Sequence, residues 1–404
     1  MRIIMMMLLI LINISTTFAE PQESTINTTA PPTSLIAPTE PTILAESAIL
    51  IEATTGRVIY EKNADLQRPP ASMTKMLTCE LGLEKIDNGT VIPISDNAAQ
   101  TGEGYFFWTA GDTMLSDELI LGTMIFSDNA GTVAIAEAVS GTVDKFLEMM
   151  NDKAKELGCT STHFNNTHGL PDTNHYSTAR DMARIAMYCM RNAKFRDIVS
   201  TKETTVHWIN PVNREDKGEN TNKLIGTYDG ANGIKTGWTK EAGGCLAASA
   251  KRGDLELIAI IVHSPDVNTR FEDAKILLDY GFSKVKMIKG IDKNQFEKTV
   301  FVKSGKRATL RVKPEGDLFF PLLDNEDVNL LKVNYELPKW TQAKITKGQA
   351  IGMARLMYND KELATVPLVA QEDVEVGFNL LSKLLALMSP MVPPEKNILV
   401  SWFA

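Results

Sequence analysis

The chain has 404 residues, 44% hydrophobic and 23% charged, the balance of an ordinary globular protein with room for two domains. Its formal net charge is −8. No basic run or stripe stands out, which argues against nucleic acid as a partner.

The N-terminus reads as an export signal. Arg2 is followed by an apolar run from Ile3 to Ile12, and Thr17-Phe18-Ala19 places small residues where signal peptidase cuts. Residues 1–19 are therefore assigned as a signal peptide, because the run is too short for a spanning helix of roughly 20 residues. Residues 20–42 are rich in Pro and Thr, with Pro31-Pro32 and no periodicity, and read as a disordered linker.

A catalytic-sized domain is expected over 43–287. Ala48 to Glu52 and Arg57 to Tyr60 read as strands joined at Thr54-Thr55-Gly56. Helices are expected over Thr74 to Ile86, Leu115 to Phe126, Gly131 to Val139, Val143 to Leu157 and Arg180 to Met190. Thr178 with Asp181 forms a capping-box pattern before the last of these. Strand signals return at Gly233 to Thr236, Cys245 to Lys251 and Leu255 to His263, and Arg270 to Tyr280 reads as a final helix. The order suggests an α+β fold with one antiparallel sheet flanked by helices.

Residues 288–374 change character to short alternating runs such as Thr299 to Val302 and Ala308 to Val312, a small all-β domain. In the tail, 375–404, Val376 to Met388 reads as an amphipathic helix, followed by Trp402 and Phe403. At roughly 1.5 Å per residue it is too short to cross a bilayer, and it suits the membrane interface.

The chemistry lies in three short motifs. In Ser72-Met73-Thr74-Lys75 the serine opens a helix and the lysine follows one turn later, on the same face. Lysine can take the proton of a serine hydroxyl when burial or a nearby cation lowers its pKa. Ser127-Asp128-Asn129 ends one apolar helix and begins another. There the Ser127 hydroxyl can relay a proton and Asn129 can hold a substrate amide. Lys235-Thr236-Gly237 reads as an edge strand that can pair with an extended peptide. Lys235 and the Thr236 hydroxyl can grip a carboxylate, Gly237 permits close backbone approach, and the Trp238 N–H is a second oxyanion donor beside that of Ser72. Two decoys, Ser95-Asp96-Asn97 and Ser283-Lys284-Val285-Lys286, sit in polar or surface contexts. His163, His168 and His175 lack metal-ligand spacing; His168 and His175 read as structural. No metal or cofactor is expected. Cys79, Cys159, Cys189 and Cys245 are too widely spaced for a redox or metal motif and read as free, mostly buried thiols.

With its flanks Arg68-Pro69-Pro70-Ala71 and Met76, the first motif resembles the nucleophile segment of the serine-type D-alanyl-D-alanine carboxypeptidases, the low-molecular-weight penicillin-binding proteins. Thr167-His168-Gly169-Leu170-Pro171 with His175 to Ala183 resembles that family's middle signature, and Lys235 to Thr239 with Leu246 to Ala250 its last core strands. The resemblance implies a penicillin-binding-protein/β-lactamase-like transpeptidase fold and a C-terminal β-domain. It makes Ser72 the acyl-enzyme nucleophile, Lys75 the base, Ser127 and Asn129 the second motif, Lys235 the head of the third, and Arg270 a residue near the substrate carboxylate. Trp238, and Ala130-Gly131 after Asn129, depart from the usual pattern.

The implied activity is penicillin-sensitive removal of the terminal D-alanine from peptidoglycan stem pentapeptides at the extracytoplasmic membrane face. The alternatives are a D,D-endopeptidase, a β-lactamase and a silent wall-binding protein. A β-lactamase of class A brings an E-x-x-L-N segment, and nothing between Asn129 and Lys235 supplies it. The implied partners are the stem peptide, β-lactams as covalent inhibitors, and the membrane surface.

Overall fold

The computed structural model describes residues 40–380. The expected signal peptide, most of the linker and most of the tail lie outside the described residues. The chain enters through the antiparallel hairpin of β1 (Ser47–Glu52) and β2 (Val58–Lys62). A 3-10 turn, Ala71–Thr74, leads into α1 (Lys75–Lys85), and β3 (Val91–Pro93), α2 (Asp96–Ala99) and β4 (Thr113–Leu115) follow. A helical layer comes next: α3 (Ser116–Ile125), α4 (Ala130–Ser140), α5 (Val143–Glu156), α6 (Ala179–Cys189) and α7 (Ala193–Ser200). The hairpin of β5 (Glu203–Asn210) and β6 (Glu215–Glu219) joins β3 and β4 in a four-stranded sheet. Strands β7 (Ala231–Thr239), β8 (Gly243–Arg252) and β9 (Leu255–Ser264) and helix α8 (Thr269–Lys284) complete this part.

The central sheet runs β2-β1-β9-β8-β7, antiparallel throughout. The inner strands β1, β9 and β8 are buried along most of their length because both faces of the sheet are covered. Alternation still sorts the side chains. Ile49, Ile51, Ile258 and Ile260 join Met76 and Leu77 of α1 and Met182 and Ile185 of α6 in one core. Leu50, Leu246, Leu257 and Ile261 join Phe271, Leu277 and Leu278 of α8 in the other. Each such side chain contributes roughly 1.5–3 kcal/mol on burial. β7 is left as an edge strand.

The expected helices form, with ends shifted by a residue or so, and α8 runs four residues beyond Tyr280, to Lys284. Thr178 caps α6 by accepting the Asp181 N–H at 3.0 Å. Asp181 does not close the reciprocal half of the box. Its carboxylate accepts from Ser161 N and the Thr162 hydroxyl and pairs with Arg184, tying the loop before α6 to the helix. The β5–β6 hairpin has no counterpart in the sequence reading. β6 is Glu-Asp-Lys-Gly-Glu and largely exposed, so no apolar alternation announces it.

Residues beyond α8 form a separate all-β domain, opening with β10 (Val285–Ile291), which runs across the expected boundary at 287/288. β11 (Lys298–Lys303), β12 (Thr309–Pro314) and β13 (Leu318–Leu323) follow, then β14 (Leu331–Glu336), β15 (Trp340–Gln342), β16 (Ala350–Tyr358) and β17 (Lys361–Ala370). β10 pairs with β13, and the other strands form a six-stranded sheet. The expected tail helix does not begin at Val376. Val376 bridges to Gly305, and Gly377 N donates to Ser304 O at 2.9 Å. Sheet pairing outcompetes helix there; residues 381–388 of that expectation lie outside the described residues. No helix among the described residues is long and apolar enough to cross a membrane. All four cysteines are buried and free.

Candidate active site

Ser72 lies in the 3-10 turn and Lys75 opens α1 one turn later. Ala71, just before the serine, sits in the left-handed region at φ 49°, a conformation that persists only when surroundings hold it. The Lys75 ammonium position is fully buried. Nζ lies 2.9 Å from Ser72 Oγ, 2.7 Å from Asn129 Oδ1 and 2.8 Å from His168 O. The last two atoms can only accept. A neutral amine directs its two N–H bonds to them and turns its lone pair to the Ser72 hydroxyl. An ammonium places its third proton there instead. Proton transfer from Ser72 to Lys75 therefore needs no rearrangement. Burial pushes Lys75 down to about 7, against the pull of the Asp128 carboxylate.

The second motif turns the chain between α3 and α4. Ser127 is at φ 63°. It is half-buried, and its hydroxyl has no hydrogen-bond partner among the described residues. The buried Asp128 carboxylate accepts from Tyr105 N at 2.8 Å, Phe106 N at 3.0 Å, Trp108 Nε1 at 2.9 Å and Gly131 N at 2.7 Å. It fastens the 105–108 loop to the start of α4, a role that the sequence reading missed. Asn129, expected to hold a substrate amide, is engaged within the protein. Both its N–H bonds go to the carbonyls of Gly102 and Glu103, and its oxygen goes to Lys75. Asn129 clamps the lysine.

The third motif lies on the edge strand. Lys235 pairs with Ala247, so it shares the face with Ala247, which packs in the α1 core. Its Nζ donates to Thr236 O at 3.1 Å. Burial, then the charge of Lys75, pushes Lys235 well below the usual lysine range. The Thr236 hydroxyl donates to that of Thr221 at 2.7 Å. Thr221 belongs to no motif, and no local signal could have found it. A methyl added at Gly237 would lie 2.9 Å from the Ala71 methyl and 3.0 Å from Ser72 N. The close approach that needs glycine here is thus to the turn that carries Ser72. Trp238 is 57% exposed. Arg270, expected beside the substrate carboxylate, is buried and donates to Gly237 O at 2.6 Å and Cys245 O at 3.3 Å. It holds the strand carbonyl next to the third motif.

The middle segment adds a fourth wall. His168 lends its carbonyl to Lys75, while burial pushes its imidazole down to about 3. The decoys are elsewhere: Ser95 caps α2, and Lys284 pairs with Asp324 at 2.6 Å. Among the described residues no group of three His, Cys, Asp or Glu side chains could hold a metal.

A family model for D-alanyl-D-alanine carboxypeptidase, Peptidase_S11, matches residues 34–266. The chain belongs to the D-alanyl-D-alanine carboxypeptidase family. A second model, the penicillin-binding protein 5 C-terminal domain, matches residues 282–376. Carboxypeptidase relatives include DacF of Bacillus subtilis, 35% identical over 83% of this chain and 87% of its own length. DacA of Escherichia coli is 32% identical, covering 84% and 86%. Among solved structures, penicillin-binding protein 5 of Haemophilus influenzae superposes with a TM-score of 0.65 at 30% identity, covering 83% of this chain and 99% of that one. The carboxypeptidase fold thus extends through both domains.

Proposed function

We propose that this serine-type D-Ala-D-Ala carboxypeptidase releases the terminal D-alanine of peptidoglycan stem pentapeptides through an ester on Ser72. The observation that carries the reading is the direct 2.9 Å contact of the buried Lys75 Nζ with the Ser72 hydroxyl, its other two partners being obligate acceptors. The stem peptide pairs with the free edge of β7, and its terminal carboxylate meets Lys235 and the Thr236 hydroxyl. That carboxylate restores the ammonium form of Lys235.

Neutral Lys75 takes the Ser72 proton as Oγ bonds the carbonyl carbon of the penultimate D-alanine. The oxyanion faces the N–H groups of Ser72 and Trp238. On collapse the C–N bond breaks, the Ser127 hydroxyl passes a proton to the departing amine, and Lys75 replaces that proton. D-alanine leaves. Water then attacks the ester, its proton passes to Lys75, and Ser72 recovers its own. β-Lactams enter the same first step. Their ester persists, because the segment between Asn129 and Lys235 brings no E-x-x-L-N carboxylate for the water.

The test is D-alanine release from diacetyl-L-Lys-D-Ala-D-Ala, with fluorescent penicillin labelling alongside. The expected result is release and labelling by wild type and neither by Ser72→Ala. Labelling that survives Ser72→Ala, or rapid turnover of nitrocefin, overturns the assignment. The same reading has the protein exported by residues 1–19 and held at the membrane surface by residues 375–404, on the grounds of their sequence. Fractionation of cells making the full chain or a chain ending at Gly377 checks this; equal membrane retention removes the tail from that role.

A further inference from the structure

We propose that His175 is a positioning residue for the nucleophile: acting through the Thr74 hydroxyl, it holds the Ala71 carbonyl and so the turn that presents Ser72. The inference rests on Ser72 being the nucleophile. It gives the middle segment, residues 165–175, a part in the reaction beyond lending a carbonyl to Lys75.

The polarity of the relay follows from its far end. Asn165 N and Asn166 N approach His175 Nδ1 at 3.1 and 3.3 Å. Backbone amides only donate, so Nδ1 is the bare, accepting nitrogen and the ring proton is on Nε2. Nε2 lies 2.8 Å from Thr74 Oγ1 and donates to it. The hydroxyl then has its own proton free for Ala71 O, at 2.9 Å. Donation runs one way, from the backbone of residues 165–166 to the carbonyl that precedes Ser72. His175 and Thr74 are 2% and 1% exposed, so water does not compete. Burial, ahead of the opposing pull of Asp172, pushes the imidazole down to about 4 and keeps this tautomer neutral.

What the relay holds is a strained turn. Ala71 is a non-glycine residue at φ 49°, which relaxes unless its surroundings oppose it. The same segment touches the site twice more. His168 O accepts from Lys75 at 2.8 Å. Gly169, at φ 92°, lies so close that an added methyl would be 1.9 Å from Ala71 O. One loop therefore fixes both the base and the turn that carries the nucleophile, and His175 is the polar link between loop and turn. Loss of the link lets Ser72 Oγ shift relative to Lys75 Nζ. Displacement on the scale of 1 Å costs about 100-fold in rate.

The experiment uses full-length protein and measures the acylation rate constant and dissociation constant for fluorescent penicillin, with melting temperature. The variants are His175→Asn, His175→Gln, Thr74→Val, Thr74→Ser and the double His175→Asn/Thr74→Val. Asn keeps a polar atom near the Nδ1 position only, whereas Gln reaches the Nε2 position and can still donate to Thr74. The expected result is an acylation rate about 10- to 100-fold lower in His175→Asn and Thr74→Val, with the dissociation constant changed less than about twofold. The double variant is no slower than the slower single one, because one chain of bonds is cut in either case. His175→Gln and Thr74→Ser recover most of the rate. A wild-type rate in His175→Asn, losses that multiply in the double, or a Gln variant no better than Asn overturns the inference. If His175→Asn does not fold, Thr74→Val, which leaves the imidazole in place, decides by the same criteria. Failure of the wild type to be labelled at Ser72 overturns the functional reading as well; normal wild-type labelling with an unimpaired His175→Asn overturns this inference alone.

Discussion

Lys75 and Asn129 are 54 positions apart in the chain, and the lysine Nζ lies 2.7 Å from the asparagine Oδ1. That contact joins the first motif to the second and decides where the lysine proton points. With His168 O as the other acceptor, it reserves one direction on Nζ for Ser72. The lysine nitrogen is thus aimed at the Ser72 hydroxyl by the fold itself.

In the proposed mechanism acylation depends on the uncharged form of Lys75. Burial pushes this group from 10.5 down to about 7. Below that value the amine is protonated and cannot take the serine proton; above it the base is free. The acylation rate is therefore expected to rise with pH through a midpoint near 7, and stopped-flow labelling with penicillin checks it. Lys75→Ala should lower the rate by about 10²- to 10⁴-fold at pH 8.

Asn129→Asp replaces a neutral acceptor with a carboxylate against Lys75. An opposite charge at this range favours the ammonium. The midpoint of the acylation profile should move up by about one unit or more, and at pH 7 the rate should fall. An unmoved midpoint would show that Asn129 does not set the lysine proton.

Gly169→Ala and Gly237→Ala press on the same turn from two sides. At Gly169 the new methyl meets backbone at 1.9 Å and the φ is 92°, so neither partner can give. A loss of more than about 2 kcal/mol is expected, read as a melting temperature lower by several degrees. At Gly237 the contacts are 2.9–3.2 Å, within reach of a small shift of Ala71 and Ser72. Here acylation should fall more than stability, and parallel rate and melting measurements separate the two.

Glu80, buried on α1, is pushed up to about 7 chiefly by burial, against the Asn192 hydrogen bonds. Its unfolded value is 4.5. The folded state thus prefers the protonated acid. That preference is fully present below about 4.5 and is lost as pH rises through 7, where a buried carboxylate must be carried. Glu80→Gln should raise the melting temperature by a few degrees at pH 8 and change it little at pH 4.5. Melts at the two pH values test the sign.

Much of this was legible along the chain. β8 and β9 are long apolar runs, and α5 and α6 have one apolar face with Thr142 and Thr178 as caps, so local pattern is enough to find them. Ser72 could be preferred to Ser283 as the candidate nucleophile by its flanks alone. What stayed hidden has no local signature. β6 is polar along its whole length. Thr221 is an ordinary threonine until it meets Thr236. The Asp128 carboxylate shows its role only when three donors from the 105–108 loop and one from the start of α4 surround it.

Arg270 and Asn129 show where the division falls. Residue type and spacing by themselves singled out Ser72, Lys75 and Lys235 as candidates and determined which helix or strand each occupies, because those are matters of nearest neighbours and periodicity. Only the tertiary structure decided what Arg270 and Asn129 hold: the strand carbonyl at Gly237 and the lysine, respectively. Hydrogen bonds are made between atoms brought together by packing of distant segments, and one-dimensional pattern carries no record of which carbonyl ends up within 3 Å.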